Sequence, residues 1–324
     1  MQIYRIQSGK QSSESGMFTQ FPKALIQKIP LNGHPEANVE LSVLREDLSH
    51  PFLAGNKWRK LKYNLEAFRL SQKKAIITFG GKYSNHLVAC AAAGKLFSIP
   101  MIAIMRGEED VINPNILFLK KCGMRIINIT REHYRKREDS SFLDKLYSIC
   151  SQTFPELKCR PEDFLMIPEG GSNADGVKGC VEIMNDVPKE TTHVCVACGT
   201  GTTLAGIASG LAKHQTAIGV AVLRAENFLL QSVLSRGADP ERTKIIFDYH
   251  FGGYAKKTKE LERFCSEFSH STGIPIEPVY TGKLFFAINN MISKGFFPPG
   301  SKILIFHSGG IFDFNKSIDT LNFD

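Results

Sequence analysis

From Ala75 to Phe306 the chain alternates short apolar runs with longer segments of helical pattern, and this alternation restricts its fold more than any single residue does. The apolar runs span 75–79, 100–105, 124–129, 164–167, 194–197, 217–223, 245–247 and 303–306, each of strand length. Between them, 84–97, 114–122, 131–152, 173–186, 202–213, 228–236, 257–272 and 283–294 predict helices. Upstream, 39–44 alternates as a strand does, and a helical pattern runs from about Trp58 to Leu70. Strands alternating with helices build parallel sheets covered on both faces. The expected class is therefore α/β, with two open, twisted, mostly parallel sheets flanked by helices. A length of 324 residues suits two domains or one large α/β unit. Residues 1–20 read as peripheral, 21–30 as an extended arm, and Asn32-Gly33 as turn chemistry.

Composition narrows the function classes. The net charge is +8, but the basic residues are scattered, and the densest run, Arg131 to Asp139, mixes signs as a solvated helix face does. That argues against a nucleic-acid partner. No apolar run approaches bilayer length, which argues against a membrane partner, and the polar stretch Met1 to Met17 lacks the apolar centre of a signal peptide. Eight cysteines, most in apolar segments, fit reduced thiols and a cytoplasmic location. Cys195 and Cys198 form a Cys-x-x-Cys, but with no second pair they read as strand and loop residues, and no metal is expected.

Five turns carry chemistry. In Gly55-Asn56-Lys57-Trp58-Arg59-Lys60-Leu61, Lys57 lies where a loop becomes a helix. Partial desolvation there lowers an amine's pKa and frees it for a Schiff base, although a solvated lysine at a basic helix start is the blander reading. In Gly80-Gly81-Lys82-Tyr83-Ser84-Asn85-His86, a tight turn meets two good N-cap residues, giving an anion site suited to a carboxylate, or simply a capped helix. Cys198-Gly199-Thr200-Gly201-Thr202-Thr203 opens a helix with amides and hydroxyls that suit a phosphate. It is not a Walker loop, and the acidic residue of a dinucleotide fingerprint is missing at Leu223-Arg224-Ala225. Glu277 to Lys283 and His307-Ser308-Gly309-Gly310 are further turns bearing hydroxyls. A phosphate cradle with an imine-forming lysine in an α/β fold points to pyridoxal 5'-phosphate.

Five motifs occur in order: Gly-Asn-Lys-x-Arg-Lys-Leu at 55–61, Gly-Gly-x-x-Ser-Asn-His at 80–86, Thr-Gly-Thr-Thr-x-Ala-Gly at 200–206, Pro-Val-Tyr-Thr-Gly-Lys at 278–283, and His-Ser-Gly-Gly at 307–310. Together they resemble the ACC deaminase / D-cysteine desulfhydrase family of fold type II pyridoxal-phosphate enzymes, over roughly residues 20–320. The resemblance implies two domains with the cofactor in the cleft between them: residues 1–62 plus 181–324, and residues 63–180. It implies a Schiff-base role for Lys57 and phosphate contacts from Lys60 and from the loop Cys198, Gly199, Thr200, Gly201, Thr202 and Thr203. Ser84, Asn85 and His86 match the segment that holds the substrate carboxylate, with Ser84 also catalytic and Asn85 meeting the cofactor's phenolic oxygen. Tyr280 matches an active-site tyrosine and Tyr254 a second one. Thr281 falls beside the pyridine nitrogen, and Ser308 lies close by. A homodimer and a small amino-acid substrate are implied as well.

Two positions separate the family's branches. Deaminases resemble Pro-Val-Tyr-Glu-Gly and His-Leu-Gly-Gly, whereas this chain has Thr281 and Ser308. A glutamate beside the pyridine nitrogen favours its protonation more than a neutral hydroxyl does. Thr281 therefore argues for elimination of a β-substituent, giving pyruvate, ammonia and, from cysteine, sulfide. Opening of the cyclopropane amino acid to 2-oxobutanoate is the alternative. Ammonia is freed by hydrolysis, so both lyase and hydrolase descriptions attach to the expected reaction. A non-catalytic pyridoxal-phosphate binder and a nucleotide-binding module are the readings from other classes. Ala54 replaces a usual glycine, and Lys82-Tyr83 replace an apolar-Gln pair, which leaves the substrate side chain open.

Overall fold

The computed structural model describes residues 24–31, 38–107, 113–224 and 226–314. In chain order the strands are β1 (Leu25–Ile29), β2 (Glu40–Arg45), β3 (Ala75–Gly80), β4 (Met101–Arg106), β5 (Arg125–Ile129), β6 (Phe164–Ile167), β7 (His193–Cys198), β8 (Thr216–Ala221), β9 (Thr243–Ile246) and β10 (Lys302–Phe306). The helices are α1 (Asn56–Leu70), α2 (Asn85–Phe97), α3 (Pro114–Lys121), α4 (Arg131–Arg135), α5 (Ser140–Thr153), α6 (Ala174–Val181), α7 (Thr202–Ser209), α8 (Glu226–Leu234), α9 (Lys259–Thr272) and α10 (Thr281–Ser293).

The strands form two sheets, as the alternation requires. One has six strands in the order β1-β2-β10-β7-β8-β9, the other four in the order β5-β4-β3-β6. Every pairing is parallel except β1 against β2. Covered on both faces, β3 is buried at all six of its residues, as a central parallel strand must be. On one face of the small sheet, Trp58, Leu61 and Leu65 of α1 pack with the alanines of α2. Small residues let α2 approach closely: a Cβ on Gly94 would sit 2.6 Å from Met101 Cγ.

Three segments differ from the sequence expectation. The expected arm contains β1, an antiparallel edge strand whose register pairs Ile26 with Leu44. The single helix expected over 131–152 is two, because Asp139 accepts the amide of Phe142 and caps a new start at Ser140. Helix α1 begins at Asn56, so Lys57 lies inside its first turn. The expectations for residues 1–20 and for Asn32-Gly33 lie outside the described residues.

Helix α1 is fixed from below by charge and by contact. Arg59 bonds Glu46 and, at 2.7 Å, Asp186, and Lys62 bonds Glu182 at 2.7 Å. On α6, Gly179 faces the Arg59 carbonyl so closely that an added Cβ would lie 1.7 Å from the oxygen.

Candidate active site

The Lys57 turn, the Ser84 turn, the Thr200 turn and the 307–310 segment meet through their glycines and short polar side chains. Gly55 has φ +61°, and its missing Cβ would lie 2.2 Å from the Ser308 carbonyl oxygen. Gly310 has φ +94°, and its Cβ would lie 2.3 Å from Asn85 Nδ2. Only glycine combines a left-handed backbone with such close approach. These two residues thus bring the segment after β10 against both the start of α1 and the start of α2. His307 anchors that segment: its Nε2 lies 2.8 Å from the Pro275 carbonyl, and its Nδ1 accepts the Gly309 amide at 3.2 Å. Burial holds the ring below its ordinary pKa, which matches this neutral pattern of one donor and one acceptor.

Lys57 and the Thr200 turn are joined by one side chain. The Lys57 ammonium donates to Asn56 Oδ1 at 2.8 Å, and Asn56 Nδ2 donates to Thr203 Oγ1 at 2.9 Å. Burial, and then the neighbouring Lys60, push Lys57 down to about 7. Lys60 is buried and lowered by burial first, with Arg236 adding to it. Neither lysine forms an ion pair with a described carboxylate. Two enclosed amines without an ion-pair partner make a site that favours an anion, and Lys57, at about 7, exchanges its proton near neutral pH.

The turn after β7 is built for that anion. Thr202 is the first residue of α7, preceded by Gly201 at φ +80°. Its hydroxyl pairs with Thr200 Oγ1 at 3.0 Å and with Ser172 Oγ at 2.8 Å. Arg236 Nη2 donates to Ser172 Oγ at 3.0 Å, and Ser232 Oγ donates to the Thr200 carbonyl at 3.1 Å. Cys198 closes β7, buried to 1% exposure, and burial pushes its thiol up to about 12. Gly199 faces Tyr280, whose Cε1 would lie 3.8 Å from an added Cβ. Asn56, Ser172, Ser232 and Arg236 were not singled out in the sequence. Asn56 carried the only local signal, being adjacent to Lys57.

Ser84 caps α2, its Oγ accepting the Leu87 amide at 3.3 Å. Asn85 opens that helix against Gly310. His86 is turned inward: Nε2 lies 2.8 Å from Thr78 Oγ1, and burial, with the two lysines nearby, lowers the ring to about 3. It is a neutral ring at any physiological pH.

Tyr280 and Tyr254 meet edge to face with ring centroids 5.9 Å apart. Burial and the adjacent Tyr254 hold the Tyr280 hydroxyl well above its ordinary pKa. Thr281 is fully buried. Its hydroxyl accepts the Glu277 amide at 3.0 Å and donates to Glu277 Oε1 at 3.2 Å. The Glu277 carboxylate also takes the amides of Val279, Tyr280 and Thr281 at 2.6, 2.9 and 2.8 Å, capping α10. An acidic group therefore stands behind Thr281, a feature the local motif did not reveal.

Comparison with known proteins gives the family. Residues 24–309 match the family described as pyridoxal-phosphate dependent enzyme. A Pyrococcus horikoshii protein provisionally named 1-aminocyclopropane-1-carboxylate deaminase is 31% identical over 301 residues, covering 88% of this chain and 89% of its own. The bifunctional D-cysteine desulfhydrase/1-aminocyclopropane-1-carboxylate deaminase of Arabidopsis thaliana mitochondria is 27% identical, over 87% of this chain and 75% of its own. The crystal structure of an ACC deaminase homologue superposes with a TM-score of 0.71 at 28% identity, covering 92% of this chain and 94% of that one.

Proposed function

The chain belongs to the pyridoxal-phosphate-dependent enzymes, in the ACC deaminase / D-cysteine desulfhydrase group, and from that premise we propose that it is a lyase that eliminates a β-substituent from a small amino acid. With cysteine as substrate the products are pyruvate, ammonia and sulfide. The hydrolase description is dropped, because the carbon–heteroatom bond breaks by elimination and water enters only afterwards. The observation that carries the reading is the chain Lys57–Asn56–Thr203, which ties an amine lowered to about 7 to a turn of amides and hydroxyls.

The donor set fits pyridoxal phosphate. Lys60, Gly199, Gly201 and the hydroxyls of Thr200, Thr202 and Thr203 would hold its phosphate, and the α7 N-terminus adds its dipole. Lys57 would hold its aldehyde carbon, Asn85 its phenolic oxygen and Thr281 its ring nitrogen, with Ser308 and Cys198 lining the site. When bound, the group supplies an electron sink for a carbanion at the substrate Cα. The protein supplies the rest. Ser84, the start of α2 and Asn85 hold the substrate carboxylate, and His86 supports that turn through Thr78. Orienting the carboxylate sets the Cα–H bond towards Lys57, whose free amine accepts the proton. The protonated hydroxyls of Tyr280 and Tyr254 would lie beside the reacting face and give a proton to the leaving group.

We also take the chain as two units, residues 1–62 with 181–324 and residues 63–180, each holding one sheet, with the site between them. Eight buried free cysteines favour a reducing compartment such as the cytoplasm. None of the helices in the described residues is long and apolar enough to cross a membrane.

Borohydride treatment of the cofactor-loaded protein should fix the label on the peptide containing Lys57. A label elsewhere, or none, overturns the reading. Pyruvate and ammonia assays across D- and L-cysteine, serine and the cyclopropane amino acid then identify the substrate. Cyclopropane opening is the second reading, favoured by Glu277 behind Thr281. Thr281→Glu should raise 2-oxobutanoate formation at the expense of pyruvate. No gain would remove the pyridine-nitrogen argument.

A further inference from the structure

Lys283 is a charged side chain for which the chemistry above has no use. It lies in the first turn of α10 at 0% exposure. Its Nζ donates to three backbone carbonyls: Val222 at 3.1 Å, His250 at 2.9 Å and Gly253 at 2.8 Å. No described carboxylate forms an ion pair with it. Burial lowers it only to about 8, so at neutral pH the ammonium is mostly charged.

Three carbonyl dipoles aimed at one enclosed cation form the kind of ligand shell that strips a monovalent ion of its water. The backbone is bent to make it. Phe251, Gly252 and Gly253 have φ of 52°, 93° and 122°, three consecutive left-handed residues. Such a conformation persists only where the surroundings hold it. Two contacts with α10 do so, one through Lys283 and one through Phe286, whose ring meets Phe251 edge to face at 5.1 Å. Positions 283 and 286 lie on one face of that helix. The next residue after Gly253 is Tyr254, packed on Tyr280.

We propose that Lys283 is a tethered monovalent cation: it fills a carbonyl-lined ion site and so holds the 250–254 turn, with Tyr254, against Tyr280. It is a positioning residue, and its effect on turnover rests on the function proposed above, while the ion site itself does not. Shortening the side chain vacates the Nζ position, which lies 3.1, 2.9 and 2.8 Å from the three carbonyl oxygens, a spacing that suits a potassium or ammonium ion.

Lys283→Ala tests this in buffers whose cation is tetramethylammonium, potassium or ammonium. In tetramethylammonium the variant should unfold at a lower temperature than wild type. Potassium or ammonium, but not tetramethylammonium, should raise that temperature saturably and restore turnover at least about ten-fold, mainly in kcat. Wild type should be indifferent to the choice, and so should Lys283→Met, whose side chain fills the gap without charge. If Lys283→Ala folds only in the presence of potassium or ammonium, refolding yield becomes the readout. Equal behaviour of Lys283→Ala in all three cations overturns the proposal, as does wild-type turnover in Lys283→Met. Should wild type eliminate nothing from any amino acid, the proposed function fails, yet the melting shift still decides the ion site.

Discussion

At the scale of single residues, burial without an ion pair sets the character of the two lysines. Lys57 has only an amide oxygen to donate to, and Lys60 stands beside it in the same enclosure. Burial first, and then Lys60, raise the cost of protonating Lys57, so the free amine dominates above about pH 7. The sign is that of a lowered basic group: the reactive form is lost as pH falls. Cofactor capture by the cofactor-free protein should therefore rise through a midpoint near 7 and level off above it, which stopped-flow absorbance can follow. A midpoint near the ordinary lysine value would show that Lys57 is solvated. Arg236 acts one step further back. Arg236→Ala removes the donor that holds Ser172 against Thr202, and one lost charge-assisted hydrogen bond weakens phosphate binding by roughly ten-fold. Equilibrium dialysis should show this for pyridoxal phosphate and not for phosphate-free pyridoxal. The residues legible in the sequence were those at strand-end turns, where glycine and hydroxyls announce themselves locally. Arg236 and Ser172 could not be read this way, because their partnership spans 64 positions and exists only after folding.

At the scale of elements, helix starts do the positioning. Helices α1, α2, α7 and α10 all begin at a residue assigned to the site or beside one, so their first turns lie there. The alternation of apolar and helical runs located these junctions. It could not show that α1 is held from beneath by α6. That contact depends on Gly179, which looks in the sequence like an ordinary helix glycine. Gly179→Ala places a methyl on the Arg59 carbonyl and should cost about 1–3 kcal/mol in urea unfolding, with looser cofactor retention, since Lys57 and Lys60 share that helix. Unchanged stability would mean that α6 moves aside easily. The break at 136–139 was written in the sequence as Asp139-Ser140, a helix-start signal outweighed by the long run of helix formers around it.

At the scale of the whole molecule, two sheets with separate cores each contribute turns to the candidate site. The class of fold followed from periodicity alone. The strand order, with β10 inserted between β2 and β7, did not, because no local pattern encodes which strands become neighbours. A homodimer is our expectation for this chain, and sedimentation equilibrium should return about twice 36.1 kDa. A monomer at micromolar concentration would refute it. The segment His307 to Gly310 has a consequence in time as well as in space. It completes the surroundings of Gly55 and Asn85, yet 253 positions separate Gly55 from Ser308. Closing so long a loop must await the synthesis of residues 307–310. A ribosome-bound chain therefore carries Lys57 unframed until that segment has left the exit tunnel, and the candidate site comes together only then.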